Sequence, residues 1–128
     1  MKPMTREWVE KAEGDFATME REFRARKHRN NDALCFHSQQ CAEKYLKAVL
    51  HHAGEAFPRT HDLVALLEHV LKVEPSWEVM RADLDDLTTH AVATRYPGWS
   101  TSRAVAKRAV GTAHLVRERA RLHLRLKP

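Results

Sequence analysis

Five polar side chains, His37, Gln40, Lys44, Lys47 and His51, recur at three- and four-residue spacing, so on a helix they share one face. Together they could hold an anion. Lys44 and Lys47 offer point charges for phosphate, and Gln40 offers a paired donor and acceptor for a base edge or ribose. Arg59 and Arg95 could clamp phosphate oxygens, because the planar guanidinium fork fits them better than an ammonium does. His61, near a helix start, could serve as acceptor or general base, and Tyr96 or Trp99 could stack on a base. These residues describe a site for an anionic ligand with no obvious nucleophile.

Each group also has a structural reading. A ribbon of His, Gln and Lys on a mostly apolar helix either lines a site or meets water along a seam. His61-Asp62 can be a local cap, Tyr96-Pro97 can close a loop, and Trp99 can plug the end of a bundle. His37 and Cys41 have a zinc-compatible i, i+4 spacing, but no second pair completes four ligands, so no metal is expected. Four glycines are too few for a phosphate-cradling loop, and no cofactor is expected.

The elements that must position these residues are helices. Trp8, Ala12, Phe16, Met19 and Phe23 make one apolar stripe, predicting a helix from about Thr5 to Lys27. Its basic end runs on through Arg29 into a turn, read as a solvated corner. The second helix, from Asn31 to about Ala53, is apolar on most of its circumference. Asn31 or Asp32 can cap its start, and Gly54 can end it. Pro58 delays the next helix, which Thr60 can cap and which begins near His61 with Leu63, Leu66, Leu67, Val70 and Leu71. Ser76 can cap a fourth helix through Trp77, Met80, Leu84, Leu87 and Ala91, which stops before Arg95. Ser100 to Ser102 can cap the last, whose stripe is Val105, Ala109, Thr112, Val116 and Ala120. No segment alternates as a strand would. The fold class is therefore all-α, an antiparallel up-and-down bundle of four long helices plus one short helix, in a single domain over residues 1–128.

Composition agrees with a globular chain, being 43% hydrophobic and 30% charged. No apolar run reaches the roughly 20 residues of a membrane span, and no targeting signal is visible, so the cytoplasm is the expected compartment. Cys35 and Cys41 point in different directions on one helix and are read as free thiols. Residues 103–128 hold eight cations and one carboxylate, a net +7, against −2 for the other 102 residues. Such a basic element either complements its helix dipole and keeps the surface soluble, or attracts phosphate or an acidic partner.

The run from Phe36 to Leu50, then Arg59 to Leu67, then Thr94 to Trp99, resembles the HEPN family of small helical proteins, in the right order over nearly the whole chain. The family's Gln-Gln, Glu-Lys and second Lys fall on Gln39, Gln40, Glu43, Lys44 and Lys47. Its Arg-Thr-His-Asp-Leu falls on Arg59 to Leu63, and its Arg-Tyr-Pro on Arg95 to Pro97. The resemblance implies a helical bundle, commonly a homodimer, often paired with a minimal nucleotidyltransferase in toxin–antitoxin systems, and binding nucleotide or RNA. On that basis His37, Gln40, Lys44, Lys47, Arg59, His61, Arg95 and Tyr96 are the candidate ligand residues. The family's RNases carry an Arg followed four to six residues later by a His, and the segment Arg95 to Thr101 lacks that His. Arg108 with His114, and Arg117 with His123, have the permitted spacing elsewhere. The leading expectation is a binding module with no catalytic residue; the alternatives are a metal-independent RNase toxin and a non-catalytic dimerising scaffold or antitoxin.

Overall fold

The second helix is the axis of the computed structural model, which describes residues 1–128. Leu34, Cys35, Cys41, Ala42, Tyr45, Leu46, Ala48, Val49 and Leu50 on that helix have no solvent exposure at all. Five α-helices form: α1 Pro3–Phe23, α2 Asn31–Ala53, α3 Leu63–Val70, α4 Arg81–Ala93 and α5 Arg103–His123. There is no strand, and α2 packs against each of the others. No helix is long and apolar enough to cross a membrane.

Side-chain contacts give the directions. Thr5 meets His51 and Asp15 meets Lys44, so α1 and α2 are antiparallel. His61 lies against Glu43 while His69 and Lys72 lie against Glu55. The connection after α2 therefore climbs back along it, and α3 descends in the same direction as α2. Next, α4 rises, bringing Thr88 to the level of Gln39. Finally α5 descends beside α2, from Thr101 at Asp32 to Arg121 at Tyr45.

Several boundaries differ from the sequence expectation, each for a local reason. Helix α1 starts earlier, because Pro3 suits a first turn that needs no N–H, and it ends at Phe23. The basic run beyond it turns through His28, whose φ is 54°. Asn30, not Asn31 or Asp32, caps α2, accepting from the Ala33 N–H at 2.9 Å. Asp32 is used across the bundle instead, accepting from the Thr101 N–H at 2.7 Å. Thr60 does not cap α3; that role belongs to Asp62, which accepts from the N–H groups of Val64 and Ala65. Ser76 caps nothing, since Pro75–Met80 forms a 3₁₀ turn that leads into α4. Gly54 ends α2 at φ 71° and Ser102 caps α5, both as expected.

One polar knot ties the three longest helices. The Tyr45 hydroxyl donates to Glu13, and Arg117 donates to both oxygens of that carboxylate at 2.8 and 2.9 Å. Arg121 donates to the Tyr45 oxygen at 3.1 Å. Burial pushes the Glu13 carboxyl up, but hydrogen bonds from Arg117 and Tyr45 and the nearby guanidinium charges outweigh it and hold it below the usual 4.5. A lowered carboxyl binds fewer protons folded than unfolded, so its stabilisation is complete above that value and is lost as pH falls beneath it. Glu13→Gln should cost about 1–2 kcal/mol at neutral pH, roughly 5 °C in melting temperature. Its melting temperature should also fall less steeply than the parent's as pH drops below 4.5. Parallel pH profiles for the two proteins would show that this pairing contributes nothing to stability.

Candidate functional site

Three polar residues, Gln39, Glu43 and Lys47, follow one another at four-residue steps on α2 and are 2%, 3% and 7% exposed. A carboxylate so enclosed is strongly disfavoured unless each oxygen finds a donor. Glu43 Oε2 accepts from Lys47 Nζ at 2.9 Å, and Oε1 faces His61 Nδ1 at 2.9 Å. The climbing connection delivers that imidazole. It is held there by Gln39 Nε2, which donates to the His61 carbonyl at 2.6 Å. Thr88 of α4 extends the network, donating to Gln39 Oε1 at 3.5 Å and accepting from the Leu63 N–H at 3.1 Å. The Lys47 ammonium also lies 5.5 Å from the centre of the Trp8 ring, a cation–π contact with α1.

This arrangement fixes a tautomer. A carboxylate only accepts, so His61 Nδ1 carries the hydrogen, and a neutral ring then keeps its lone pair on Nε2. With two-thirds of its side chain exposed, the ring is open to solvent. The centre can thus accept or donate a proton at an exposed nitrogen held by a buried carboxylate. Arg59, two residues back on the same connection, is exposed and in no ion pair.

The remaining candidates fall elsewhere. His37 Nδ1 lies 2.9 Å from Asp15 Oδ1, and Lys44 pairs with the other oxygen of that carboxylate. Gln40 is half-buried beside them without a side-chain partner. His51 closes the seam at Thr5, 2.7 Å away. The ribbon therefore lies along the α1–α2 packing, where α1 supplies the partners of His37, Lys44 and His51. Lys44 and Lys47 each hold a carboxylate of this chain, so neither charge is free. Arg95 and Tyr96 are exposed in the α4–α5 connection. Thr88 marks the level of Gln39, and Arg95 lies about 10 Å further along the rise of α4. The structure thus brings Lys47 and His61 together and keeps Arg95 and Tyr96 apart from them.

Gln39, Glu43 and Thr88, the hub of the centre, were not among the candidates. The signal for the first two was present: a polar residue every fourth position on a face that is otherwise buried. Thr88 had no such signal, because its role comes only from the packing of α4.

The arginines and histidines at RNase spacing on α5 are all engaged. Arg108 pairs with Asp86, His114 with Glu20, Arg117 with Glu13 and His123 with Glu74. Nor is a thiol poised to attack. Burial, with Asp32 and Asp86 nearby, pushes Cys35 up to about 11, and deeper burial pushes Cys41 higher still. A cleft of about 390 Å³ opens between α4 and the start of α5, lined by His90, Thr94, Trp99 and Ser102 among others.

Comparison with curated proteins and with solved structures returned no match. The family model described as HEPN domain matches residues 5–123, a span that runs from the first turn of α1 to the end of α5 and takes in every residue of the Glu43 centre. The chain belongs to the HEPN family.

Proposed function

We propose that this chain is a nucleotide- or nucleic-acid-binding module of the cytoplasm. It would act as a homodimer beside a minimal nucleotidyltransferase, in a pair of the toxin–antitoxin kind. Membership of the HEPN family carries a nucleic-acid-related role. The observation that supports a binding role is the Glu43–His61 pair, whose imidazole is open to solvent two residues along the connection from the unpaired Arg59. A hydrogen-bonding imidazole next to an unpaired guanidinium suits a phosphate oxygen and a neighbouring ribose or base. The α5 cations at RNase spacing, by contrast, are engaged with carboxylates of their own.

Binding of labelled ATP, GTP and RNA to the purified protein tests this reading. Arg59→Ala should weaken the preferred ligand about tenfold, near 1.4 kcal/mol, with the melting temperature little changed, and Arg59→Ala/His61→Ala should weaken it at least as much while melting lower, because Glu43 Oε1 loses its donor. Unaltered affinity in that variant would remove the ligand from this centre.

The same pair supports a second reading, metal-independent RNA cleavage with His61 as acid or base. Glu43→Gln would keep the shape but lose the carboxylate that sets the tautomer. If the protein cleaves RNA in the presence of a chelator, this change should lower kcat by about 10²-fold while leaving KM nearly constant. Intact RNA after prolonged incubation with the parent protein would leave the binding role standing.

A further inference from the structure

Helix α1 ends where α2 and α5 both begin, and four arginines converge there. Arg24, Arg26 and Arg29 come from the turn between α1 and α2, and Arg103 is the first residue of α5. With Ala25 and Asn31 they line a concavity of about 430 Å³ whose walls contain no carboxylate. Only Arg24 has an acidic neighbour, Glu20 at 3.7 Å, and that arginine is largely exposed.

This placement runs against helix electrostatics. A cation beyond the C-terminus of α1 is favoured by its dipole, but one at the N-terminus of α5 is not. Helix α5 has no acidic residue in its first turn to offset Arg103. Asp32, the acid in the first turn of α2, is committed to the Thr101 N–H. Four guanidiniums and two positive helix ends are gathered here against the C-terminal end of α1, with Glu22 on the Asn30 N–H at 3.3 Å, Glu20 and Asp32 around the rim and no carboxylate in the wall itself.

One of the four arginines is fixed in place. Arg29 donates from Nη2 to the Phe23 carbonyl at 2.6 Å and lies 5.0 Å from the centre of the Phe23 ring. Held in that way, it leaves Nε buried without a partner. Asn31 Oδ1, beside it in the wall, is likewise buried and unpartnered, and a turn of its amide would present two N–H donors instead. These two atoms lie behind the surface of the concavity, and what faces its opening is the exposed guanidiniums of Arg24, Arg26 and Arg103. The Asp32–Thr101 bond draws the α4–α5 connection to this same end, with Tyr96 62% and Trp99 66% exposed. Large aromatic rings left in water at the same end of the bundle suit bases that follow a phosphate.

We propose that this end of the bundle is a phosphate-binding site built on Arg24, Arg26, Arg29 and Arg103, separate from the His61 centre. Twelve residues of α2 separate Asn31 from Glu43, about 18 Å along the axis. The phosphate belongs to a nucleic-acid strand or to a nucleoside polyphosphate, and the site rests on its own observations rather than on the centre at His61.

Arg26→Ala/Arg103→Ala removes two exposed side chains that hold no partner, so circular dichroism and melting should match the parent. Binding of a labelled single-stranded RNA of about 12 nucleotides, of ATP and of pyrophosphate would be measured across a salt series for the parent, this variant and Arg59→Ala/His61→Ala. RNA affinity should drop at least about tenfold in the arginine variant, and its log–log salt slope should shrink by about 1.4, or 0.7 per lost phosphate contact. Arg26→Lys/Arg103→Lys should restore part of the affinity. Loss confined to ATP and pyrophosphate would assign the site to a nucleoside polyphosphate. Parent-like binding of all three probes by the arginine variant overturns the site. If Arg59→Ala/His61→Ala alone then loses binding, the His61 reading stands without it. A parent protein that binds none of the probes overturns both.

Discussion

A charge or amide fully enclosed on a helix is costly to keep without a partner. Helix α2 carries Gln39, Glu43, Lys44, Lys47 and His51 among apolar residues with no solvent exposure. Leaving one such group unsatisfied costs about 1–3 kcal/mol, and more for a charge, a sizeable part of a domain's whole margin. Each of these five residues is therefore a demand on the chain around it, and its partners lie where they answer it. Asp15 answers Lys44 and His37, Thr5 answers His51, and His61 and Lys47 together answer Glu43.

The bundle's path follows from those answers. A connection that merely joined α2 to α3 could be short, yet the chain runs back along α2 far enough to set His61 on Glu43. Gln39 then grips the His61 carbonyl, and Leu63, first in α3, gives its N–H to Thr88 of α4. The return of the connection and the docking of α4 share one network. A centre that orients an imidazole for a ligand is also one that holds the fold, so changes at Glu43 read on stability and on activity together. Changes at Arg59, which bears on no internal contact, read on the ligand alone.

How much of this the sequence disclosed depends on the range of the interaction. Helix stripes, the Gly54 stop and the Ser102 cap are local, set by neighbours three or four residues away, and were legible. The cap at Asn30 was missed by one residue, because three adjacent polar residues could each serve and Asp32 was taken by Thr101, 69 residues distant. Asp62 displaced Thr60 as a cap for a related reason: Thr60 accepts from the Asp62 N–H and so belongs to the turn before the helix. The ribbon was legible as a face but not as a seam, since Asp15 and Thr5 sit on another helix and nothing local links them to it. Glu43 and Gln39 could have been found from their spacing. The four-arginine corner was visible only as a basic turn, because Arg103, its fourth member, lies more than seventy residues further on.

The same pairing rule says where an anion can be drawn. Counting cations puts the positive charge on α5, a net +7 over residues 103–128. Pairing changes that picture. Arg108, Arg117 and Arg121 are engaged by Asp86 and Glu13, so three of the eight cations in that span are spent on α1 and α4. A guanidinium already bonded to a carboxylate attracts a phosphate weakly, because the ligand must either displace that partner or approach a nearly neutral pair. What draws phosphate is charge left over after the fold has been satisfied. On this chain that remainder includes Arg59 beside His61 and, at the end of the bundle, Arg26 and Arg103 beside Arg29. The helix that looked most basic in the sequence is a structural cation at Arg108, Arg117 and Arg121, while Arg103 at its start keeps its charge for the corner it shares with the α1–α2 turn.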